Sequence, residues 1–379
     1  MSKNELKNPS RPSPQAPRPE GEGRLEIALN CPVPRVDHDT VQMAHGGGGR
    51  VMRDLIERMF LPAFGSLSDT PPERWEGRPA HDSAVIEIER GRLAFTTDTF
   101  VVRPLFFPGG DIGKLAVYGT VNDLAMAGAR PLCLSAGFIL EEGLPMDTLR
   151  QVVASMRSAA LETGARIITG DTKVVDHGKG DGIFINTAGI GMVPPGIDIS
   201  PSRVVPGDVV LVSGDLGRHG MAVMSVREGL GFEGDLQSDC ASLAALVEAM
   251  LIVGEDLHCL RDLTRGGLAA ALNEIADDAR TGIVLDESAI PVSGPVAAAC
   301  EVLGLDPLYV ANEGRLVAFV APAAAPAVLE ILRRHAAAHG PAIIGRVVAE
   351  HAGIVEVRGL LGGARTLDLL SGEQMPRIC

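Results

Sequence analysis

The sequence predicts a two-domain α/β protein with mixed sheets, and three observations carry that prediction. The chain has 379 residues, which is long enough for two hydrophobic cores. It combines 46% hydrophobic residues and 45 glycines with only 3% aromatic residues, as is typical of α/β domains with many tight turns. Strand-like and helix-like periodicities alternate on both sides of a Pro-Pro-Gly break at residues 194–196. We therefore expect an N-terminal domain at 41–197 and a C-terminal domain at 204–370.

Both ends of the chain are predicted to be tails. Residues 1–40 contain five prolines between positions 9 and 19 and bury too little apolar surface to fold alone, so we expect a disordered, proline-rich extension. Residues 371–379 end in Met-Pro-Arg-Ile-Cys and would span about 30 Å when extended. Such a mobile tail is long enough to carry the thiol of Cys379 from the surface into a cleft. The alternative is a frayed terminus without a role.

The elements of the N-terminal domain follow from their periodicity and their end signals. A helix at 51–60 follows a glycine run, and an alternating pattern at 84–89 turns into a second strand that ends at Asp98. Helical spacing from 112 to 127 stops at a glycine and a proline. The remaining elements are a strand at 132–140, a helix at 146–162, a strand at 166–169 that ends before Asp171, and a strand at 183–191.

The C-terminal domain repeats this alternation of strands and helices. The run RDLTRGG at 261–267 is predicted to open a helix that runs to about residue 276. The other predicted helices lie at 221–228, 243–251, 295–303 and 325–335, and the predicted strands lie at 208–212, 283–285, 315–320, 343–348 and 354–357. The two halves are of similar size, so each is expected to form its own layered domain.

Charge and cysteine usage exclude several classes of function. The formal net charge of -14 repels nucleic acid and anionic membranes. The six cysteines form no CxxC pair, so neither a zinc ribbon nor a disulfide framework is predicted. The N-terminus has no apolar signal region, and no stretch is long enough to span a membrane. We therefore expect a cytoplasmic protein.

The common nucleotide and metal motifs are not satisfied. Gly113 and Lys114 lack the upstream glycine and the following hydroxyl residue of a Walker motif. The GxGxxG pattern at 229–234 follows a predicted helix instead of a strand, so it predicts a turn. His335 and His339 lie four residues apart but lack the glutamate of HExxH, which favours solvated side chains over zinc ligands.

The remaining candidate site is a set of acids near the ends of predicted elements. Asp98 and Asp171 follow strands, Asp123 lies on a helix beside Asn122, and Asp262 precedes a glycine pair. Oxygen ligands without Cys or His suit Mg²⁺, which usually bridges substrate phosphates. Each aspartate taken alone is equally compatible with a helix cap or a turn. The glycine run at 46–49 is compatible with an anion-binding loop or with a plain linker.

Eight motifs together resemble one known family. They are FTTDTF at 95–100, FFPGGDIGKL at 106–115, GTVND at 119–123, FILEEG at 138–143, GDTKVV at 170–175, DLTRGG at 262–267, NEG at 312–314 and PRIC at 376–379. Over residues 41–379 the chain resembles the HypE family of hydrogenase-maturation proteins. That family is part of the superfamily of aminoimidazole ribonucleotide synthetase, selenophosphate synthetase and thiamine-monophosphate kinase. The resemblance implies the two-domain architecture of this superfamily and a homodimer formed through the N-terminal domain.

The resemblance also implies an activity, cofactors and partners. A HypF-type carbamoyltransferase would load a carboxamide onto Cys379, and ATP-dependent dehydration would convert it to a thiocyanate. The cyano group would then pass to iron on a HypC–HypD scaffold for [NiFe] hydrogenase. The implied metal ligands for Mg²⁺ are Asp98, Asp123 and Asp262, and the implied ATP-binding residues are these three together with Gly47, Gly48, Asn122 and Asp171.

Two further residues are predicted to act on the tail. Lys173 follows Asp171 by two residues, so on an extended segment both side chains share a face and the ammonium would steady the departing phosphate. Glu313 precedes a strand of the second domain, on a loop that could close over the tail and take the imine proton. The alternative is a surface lysine and a turn glutamate.

Two other functions remain compatible with the sequence. The first is an ATP-dependent synthetase or kinase that acts on a free small substrate and would work without the tail. The second is a nucleotide-gated scaffold whose terminal cysteine only docks a partner. The mass of the Cys379 peptide after incubation with a carbamoyl donor system and ATP distinguishes all three, because only dehydration of the chain's own tail removes one water from the carbamoylated peptide.

Overall fold

The computed structural model describes residues 41–60, 81–89, 91–229, 236–359, 361–372, 375 and 377–379. The predicted proline-rich extension, Cys31 and most of the GxGxxG segment at 229–234 lie outside these residues. The helices are α1 (Arg50–Leu55), α2 (Ile112–Met126), α3 (Met146–Thr163), α4 (Arg218–Arg227), α5 (Ala244–Met250), α6 (Gly267–Ala279), α7 (Gly294–Leu303) and α8 (Ala325–Arg334).

The strands of the first half are β1 (Ala84–Ile88), β2 (Gly91–Phe100), β3 (Phe106–Phe107), β4 (Gly110–Asp111), β5 (Arg130–Glu141), β6 (Arg166–Val175) and β7 (Ile183–Val193). Those of the second half are β8 (Val209–Val212), β9 (Leu257–Asp262), β10 (Gly282–Asp286), β11 (Leu316–Val320), β12 (Ala342–Val348), β13 (Val355–Arg358) and β14 (Ala364–Leu367). Within the described residues, they form a five-stranded sheet in the order β1-β2-β7-β5-β6, a seven-stranded sheet in the order β14-β13-β10-β12-β8-β11-β9, and the β3–β4 pair. The predicted mixed α/β class is confirmed.

The five-stranded sheet has one buried and one exposed face, as strict alternation along β7 shows. Its buried face packs on α2 and α3, and α3 provides the crossover between the parallel strands β5 and β6. The exposed sheet face carries apolar side chains that are 36–45% exposed, namely Phe95, Ile139, Ile190 and Met192. Cross-strand partners place them on one side, because Phe95 pairs with Ile190.

Helix α2 lies in the interior and carries the acid Asp123 to the centre of the molecule. Asp111 caps its N-terminus by accepting hydrogen bonds from the backbone amides of Gly113 (2.8 Å) and Lys114 (3.1 Å). Almost every residue of α2 is buried, because the helix packs against β2 and β7 on one side and against β9 and α5 on the other. Its predicted extent of 112–127 agrees with the structure to one residue.

Two predicted strand ends differ from the structure, and two strands of the second half were missed. Strand β2 continues to Phe100, so Asp98 lies inside a strand and not at its end. Strand β6 continues to Val175, so Asp171 and Lys173 belong to a strand and not to a following loop. Strands β9 and β14 were not predicted, and β9 places Asp262 at a strand end directly before the turn into α6. No helix in the described part of the chain is long and apolar enough to cross a membrane.

Candidate active site

Three carboxylates from distant parts of the sequence meet between the two sheets. They belong to Asp82, just before β1, to Asp123 on α2 and to Asp262 at the end of β9. One oxygen of each lies within 4.8 Å of the others. Asp123 and Asp262 were predicted as site residues, whereas Asp82 was missed. The only local signal for Asp82 is an acid two residues ahead of a strand, which is too common to single it out.

The electrostatics of this carboxylate cluster favour a bound cation. Burial raises the pKa of Asp123 and of Asp262 well above the usual range, and neighbouring acids raise both further. Oδ2 of Asp82 and Oδ2 of Asp262 are buried and have no hydrogen-bond partner among the described residues. Converging carboxylates with unused oxygens are the ligand chemistry that Mg²⁺ takes in proteins, so the residues present fit a divalent metal.

Arg261 is a buried cation that forms ion pairs beside the carboxylate cluster. Its guanidinium contacts Asp82 at 2.7 Å and Glu274 at 3.1 Å, and the side chains of Arg261 and Asp82 are both about nine-tenths buried. Thr96 donates a hydrogen bond of 2.7 Å to Asp123. These contacts hold one carboxylate oxygen of Asp82 and one of Asp123, and Oδ2 of Asp82 is left without a hydrogen-bond partner among the described residues.

Asp98 lies beside the cluster without joining its closest group. Its side chain is on the buried face of the five-stranded sheet, with those of Thr96 and Phe100. Burial raises the pKa of Asp98, and Arg265 and the backbone amide of Thr99 lower it. Its charge in turn raises the pKa of Asp123 and of Asp262. The structure thus brings together Asp98, Asp123 and Asp262, the three predicted metal ligands.

The terminal thiol of Cys379 lies in the same acidic region, close enough to the Glu313 carboxyl for each group to shift the pKa of the other. Burial raises the pKa of the Cys379 thiol and that of the Glu313 carboxyl well above their usual ranges. Asp98 and Asp262 raise the pKa of Glu313 further. Arg265 is the nearby cation, and the charge of Cys379 is the largest influence that raises its pKa. The structure therefore brings together Cys379 and Glu313, which the sequence had only suggested as partners.

The loop that carries Glu313 is held rigidly from both sides. The amide of Asn312 is fully buried, accepts a hydrogen bond from Gly217 N (2.7 Å) and donates to the Leu263 carbonyl (3.1 Å). The backbone amide of Glu313 donates to Asp239 at 3.2 Å. Oε1 of Glu313 is buried without a hydrogen-bond partner in the described part of the chain. A carboxylate fixed in this way keeps one lone pair free for a proton.

The glycine run packs against the second domain. Arg265 donates a hydrogen bond of 2.9 Å to the Gly46 carbonyl. Gly48 has a φ of +73°, and a Cβ there would lie 2.8 Å from the Arg265 carbonyl oxygen. A Cβ on Gly49 would lie 2.4 Å from the Leu370 oxygen. Close backbone contact therefore requires glycine at positions 48 and 49. The cavity between this loop and the tail measures about 20 Å³.

Three predicted site residues, Asn122, Asp171 and Lys173, do not point towards the carboxylate cluster of their own chain. Both polar atoms of the Asn122 amide bind backbone, at Ala241 O (3.0 Å) and Leu243 N (2.7 Å), so Asn122 holds the approach to α5. Asp171 pairs across the sheet with Gly137, which pairs with Asn186 and so lies on the exposed face, opposite to Asp98. Lys173 shares that face and forms an exposed ion pair of 2.9 Å with Asp171.

Comparisons with known proteins agree with this architecture. The family model described as AIR synthase related protein, N-terminal domain, matches residues 80–193, and that of the C-terminal domain matches residues 205–358. The carbamoyl dehydratase HypE of Azotobacter vinelandii is 53% identical over 340 residues, which cover 90% of this chain and 97% of that protein.

Two solved structures extend the comparison. The chain is similar to the hydrogenase maturation protein HypE in complex with ATP, with 47% identity and a TM-score of 0.74 over 90% of this chain and 100% of that one. It is also similar to a chain of the HypE–HypF complex, with 46% identity and a TM-score of 0.77 over 83% of this chain and 99% of that one. By the extent and identity of these matches, the chain belongs to the HypE family of carbamoyl dehydratases.

Proposed function

We propose that the chain dehydrates a carboxamide carried on its own Cys379 to a thiocyanate, in an ATP-dependent step of hydrogenase maturation. The observation that carries this proposal is the docked C-terminus, which backbone hydrogen bonds hold with the Cys379 thiol near Glu313 in a buried group of acids. Membership of the carbamoyl dehydratase family and the ATP complex of a relative support the reaction class. Neither the free-substrate nor the scaffold alternative has an observation of its own in its favour.

The proton steps of this reaction need a buried base. Converting a carboxamide into a nitrile removes the amide oxygen and both N–H protons. ATP, when bound with Mg²⁺, would supply the phosphoryl group that turns the amide oxygen into a leaving group. Glu313 would accept an N–H proton, and its raised pKa makes it a stronger base than an ordinary carboxylate. Arg265 would balance the negative charge that collects around Cys379.

The metal would be held by the carboxylate cluster. Asp82, Asp123 and Asp262 offer converging oxygens, and Asp98 lies close enough to influence the pKa of two of them. We add Asp82 to the predicted set of Asp98, Asp123 and Asp262. A divalent ion there would relieve the mutual repulsion of these groups and lower the pKa of Asp123 and of Asp262.

The nucleotide would bind where the glycine loop closes on the second domain. Gly47 and Gly48 remain the proposed phosphate contacts, together with the backbone around them. A cavity of about 20 Å³ has room for about one water molecule and none for a nucleotide, so the loop or the tail must move to admit ATP. The contacts of Gly48 and Gly49 with Arg265 and Leu370 are the ones that such a movement would break.

The partners remain those that the family resemblance implied. The HypE–HypF complex supports a HypF-type carbamoyltransferase as the enzyme that loads Cys379, and a HypC–HypD complex would accept the cyano group. A homodimer would cover the exposed sheet face with Phe95, Ile139 and Ile190. Lys173 and Asp171 lie on that face, so in a homodimer they would act in the site of the second copy and not in the site of their own chain.

Mass spectrometry of the C-terminal peptide tests the proposal. The protein is loaded by a HypF-type carbamoyltransferase and then given ATP with Mg²⁺, and we expect the carbamoylated Cys379 peptide to lose one water. Omission of ATP is the matched control. A peptide that stays carbamoylated while the protein hydrolyses ATP would refute dehydration of the tail and favour a free substrate.

A further inference from the structure

Within the described residues of the tail, Met375 packs into an apolar cluster, and hydrogen bonds and an ion pair bind residues 377–379. Its groove, here called the tail groove, is formed by Val101, Arg103, Asp181, His219 and Arg227. These residues come from the segment after β2, the loop before β7 and helix α4. Each of them is remote in sequence from the C-terminus, so recognition of the tail does not depend on the strand from which it departs.

Backbone recognition holds all three carbonyl groups. The amide of Val101 donates to Cys379 O (3.0 Å) and the amide of Arg103 donates to Arg377 O (3.2 Å), so the tail runs antiparallel to this segment. His219 Nε2 donates to Ile378 O at 2.8 Å. Arg227 Nη2 donates to Arg377 O at 2.6 Å. The register of the tail is therefore fixed, and a shift by one residue would move the thiol away from Glu313.

His219 is prepared for this contact by its surroundings. The ring is fully buried and meets Phe107 edge-to-face with centroids 5.2 Å apart. Its Nε2 faces a carbonyl and must carry the proton, so Nδ1 accepts from the Ser238 hydroxyl at 2.9 Å. Burial lowers the pKa of His219, so the ring is uncharged at neutral pH.

The tail groove contacts the side chains of Arg377 and Ile378. Ile378 is only 3% exposed and joins the apolar cluster around α2. Arg377 pairs with Asp181, which also lies 3.8 Å from Arg103. An aspartate at position 378 would place a charge in this apolar cluster, and an acid at position 377 would face Asp181. The groove thus selects the ending Arg-Ile-Cys.

We propose that the tail groove is a sequence-selective binding site for a C-terminal peptide ending in Arg-Ile-Cys, so that a separate peptide with this ending and an S-carboxamide is dehydrated in trans. This inference rests on the proposed function. The bond changes are the same as in the intact chain: the amide C–O bond breaks, the two N–H protons leave, and ATP takes the oxygen as phosphate. The covalent tether contributes an effective concentration on the order of millimolar, so peptide concentrations of that order are required.

The experiment uses the full chain with its own tail disabled. The host carries Ile378→Asp and Cys379→Ser, so its tail neither docks nor reacts. The substrate is a synthetic peptide of the last eight residues of the sequence with an S-carboxamide on its cysteine, and the matched control peptide carries Ile378→Asp. With ATP and Mg²⁺, we expect a thiocyanate on the first peptide at least tenfold faster than on the control.

His219 supplies the readout that separates positioning from general structure. In the host, His219→Leu should raise the peptide KM by about 5- to 100-fold with little change in kcat, because the Ile378 carbonyl of the peptide loses its donor. His219→Gln keeps an N–H donor and should recover most of this loss. A fall in kcat alone, or equal losses in both variants, would contradict recognition through this bond.

The intact chain with its natural tail is assayed in parallel to separate the two proposals. Dehydration in the intact chain combined with no thiocyanate on the free peptide at several millimolar would overturn the trans inference and leave the proposed function standing. Equal rates for the two peptides would overturn sequence selection by the groove. Absence of dehydration in both assays would overturn the proposed function, and with it the inference.

Discussion

Removal of the base at Glu313 is the sharpest test of the chemistry. In Glu313→Gln, the amide has the same shape, and the backbone contact to Asp239 (3.2 Å) is unchanged. The variant can no longer accept a proton from the substrate nitrogen, and loss of a positioned general base costs about 10²- to 10⁴-fold in rate, or about 3–5 kcal/mol of barrier. The fold should be unharmed, because Gln replaces a carboxyl whose ionised form is disfavoured: burial raises its pKa, and Asp98 and Asp262 raise it further.

The assay follows one turnover of the carbamoylated protein with ATP. The intact chain should convert the Cys379 peptide to a thiocyanate, and Glu313→Gln should still bind ATP but retain the carbamoylated or a phosphorylated peptide. Glu301→Gln, at an exposed position of α7, serves as the control and should react normally. A Glu313→Gln rate within threefold of the control rate, together with a normal thermal transition, would refute the role of Glu313 as the base.

The other predictions concern the tail, the metal, the pH dependence and the dimer. Cys379→Ser should fold normally but form no thiocyanate. Asp82→Asn should raise the Mg²⁺ concentration needed for half-maximal ATPase activity at least tenfold in a metal titration. The pKa values of Asp123 and Glu313 are raised in the folded state, so folding takes up protons. Without metal, the free energy of unfolding should therefore fall as the pH rises above about 4, the pKa of these groups in the unfolded chain. Urea unfolding should show this fall, and added Mg²⁺ should restore the stability most at high pH. Sedimentation should show a dimer that Phe95→Glu on the exposed sheet face converts to a monomer.

Local signals in the sequence are sufficient for most elements but not for their ends at the site. The bounds of α2 follow from the Asp111 cap and the glycine after its last turn, both of which act within a few residues. Strand β6 was predicted to stop before Asp171, because an aspartate after a glycine usually forms a turn. Pairing with β5 overrides that preference, and the same pairing decides which face Asp171 and Lys173 occupy.

The metal cluster shows why a site is harder to predict than its elements. Asp123 and Asp262 lie in motifs long enough to be recognised, whereas Asp82 precedes β1 in a stretch with no pattern of its own. The three oxygens meet only because β9 forms the edge of the seven-stranded sheet and packs on α2, beside the hairpin of β1 and β2. Strand β9 was itself missed, since Arg261 and Asp262 ahead of a glycine pair have the composition of a helix start.

The docked tail depends on a kind of contact that no side-chain pattern encodes. The sequence shows that the tail can reach a cleft, but four hydrogen bonds of the tail groove are made to backbone carbonyls of the tail, which every residue possesses. What the sequence does contain is the selectivity, because Arg377 and Ile378 are the side chains that a groove with Asp181 and an apolar wall accepts. Backbone bonds set the register and side chains set the choice, and together they place the sulfur of Cys379 within reach of Glu313.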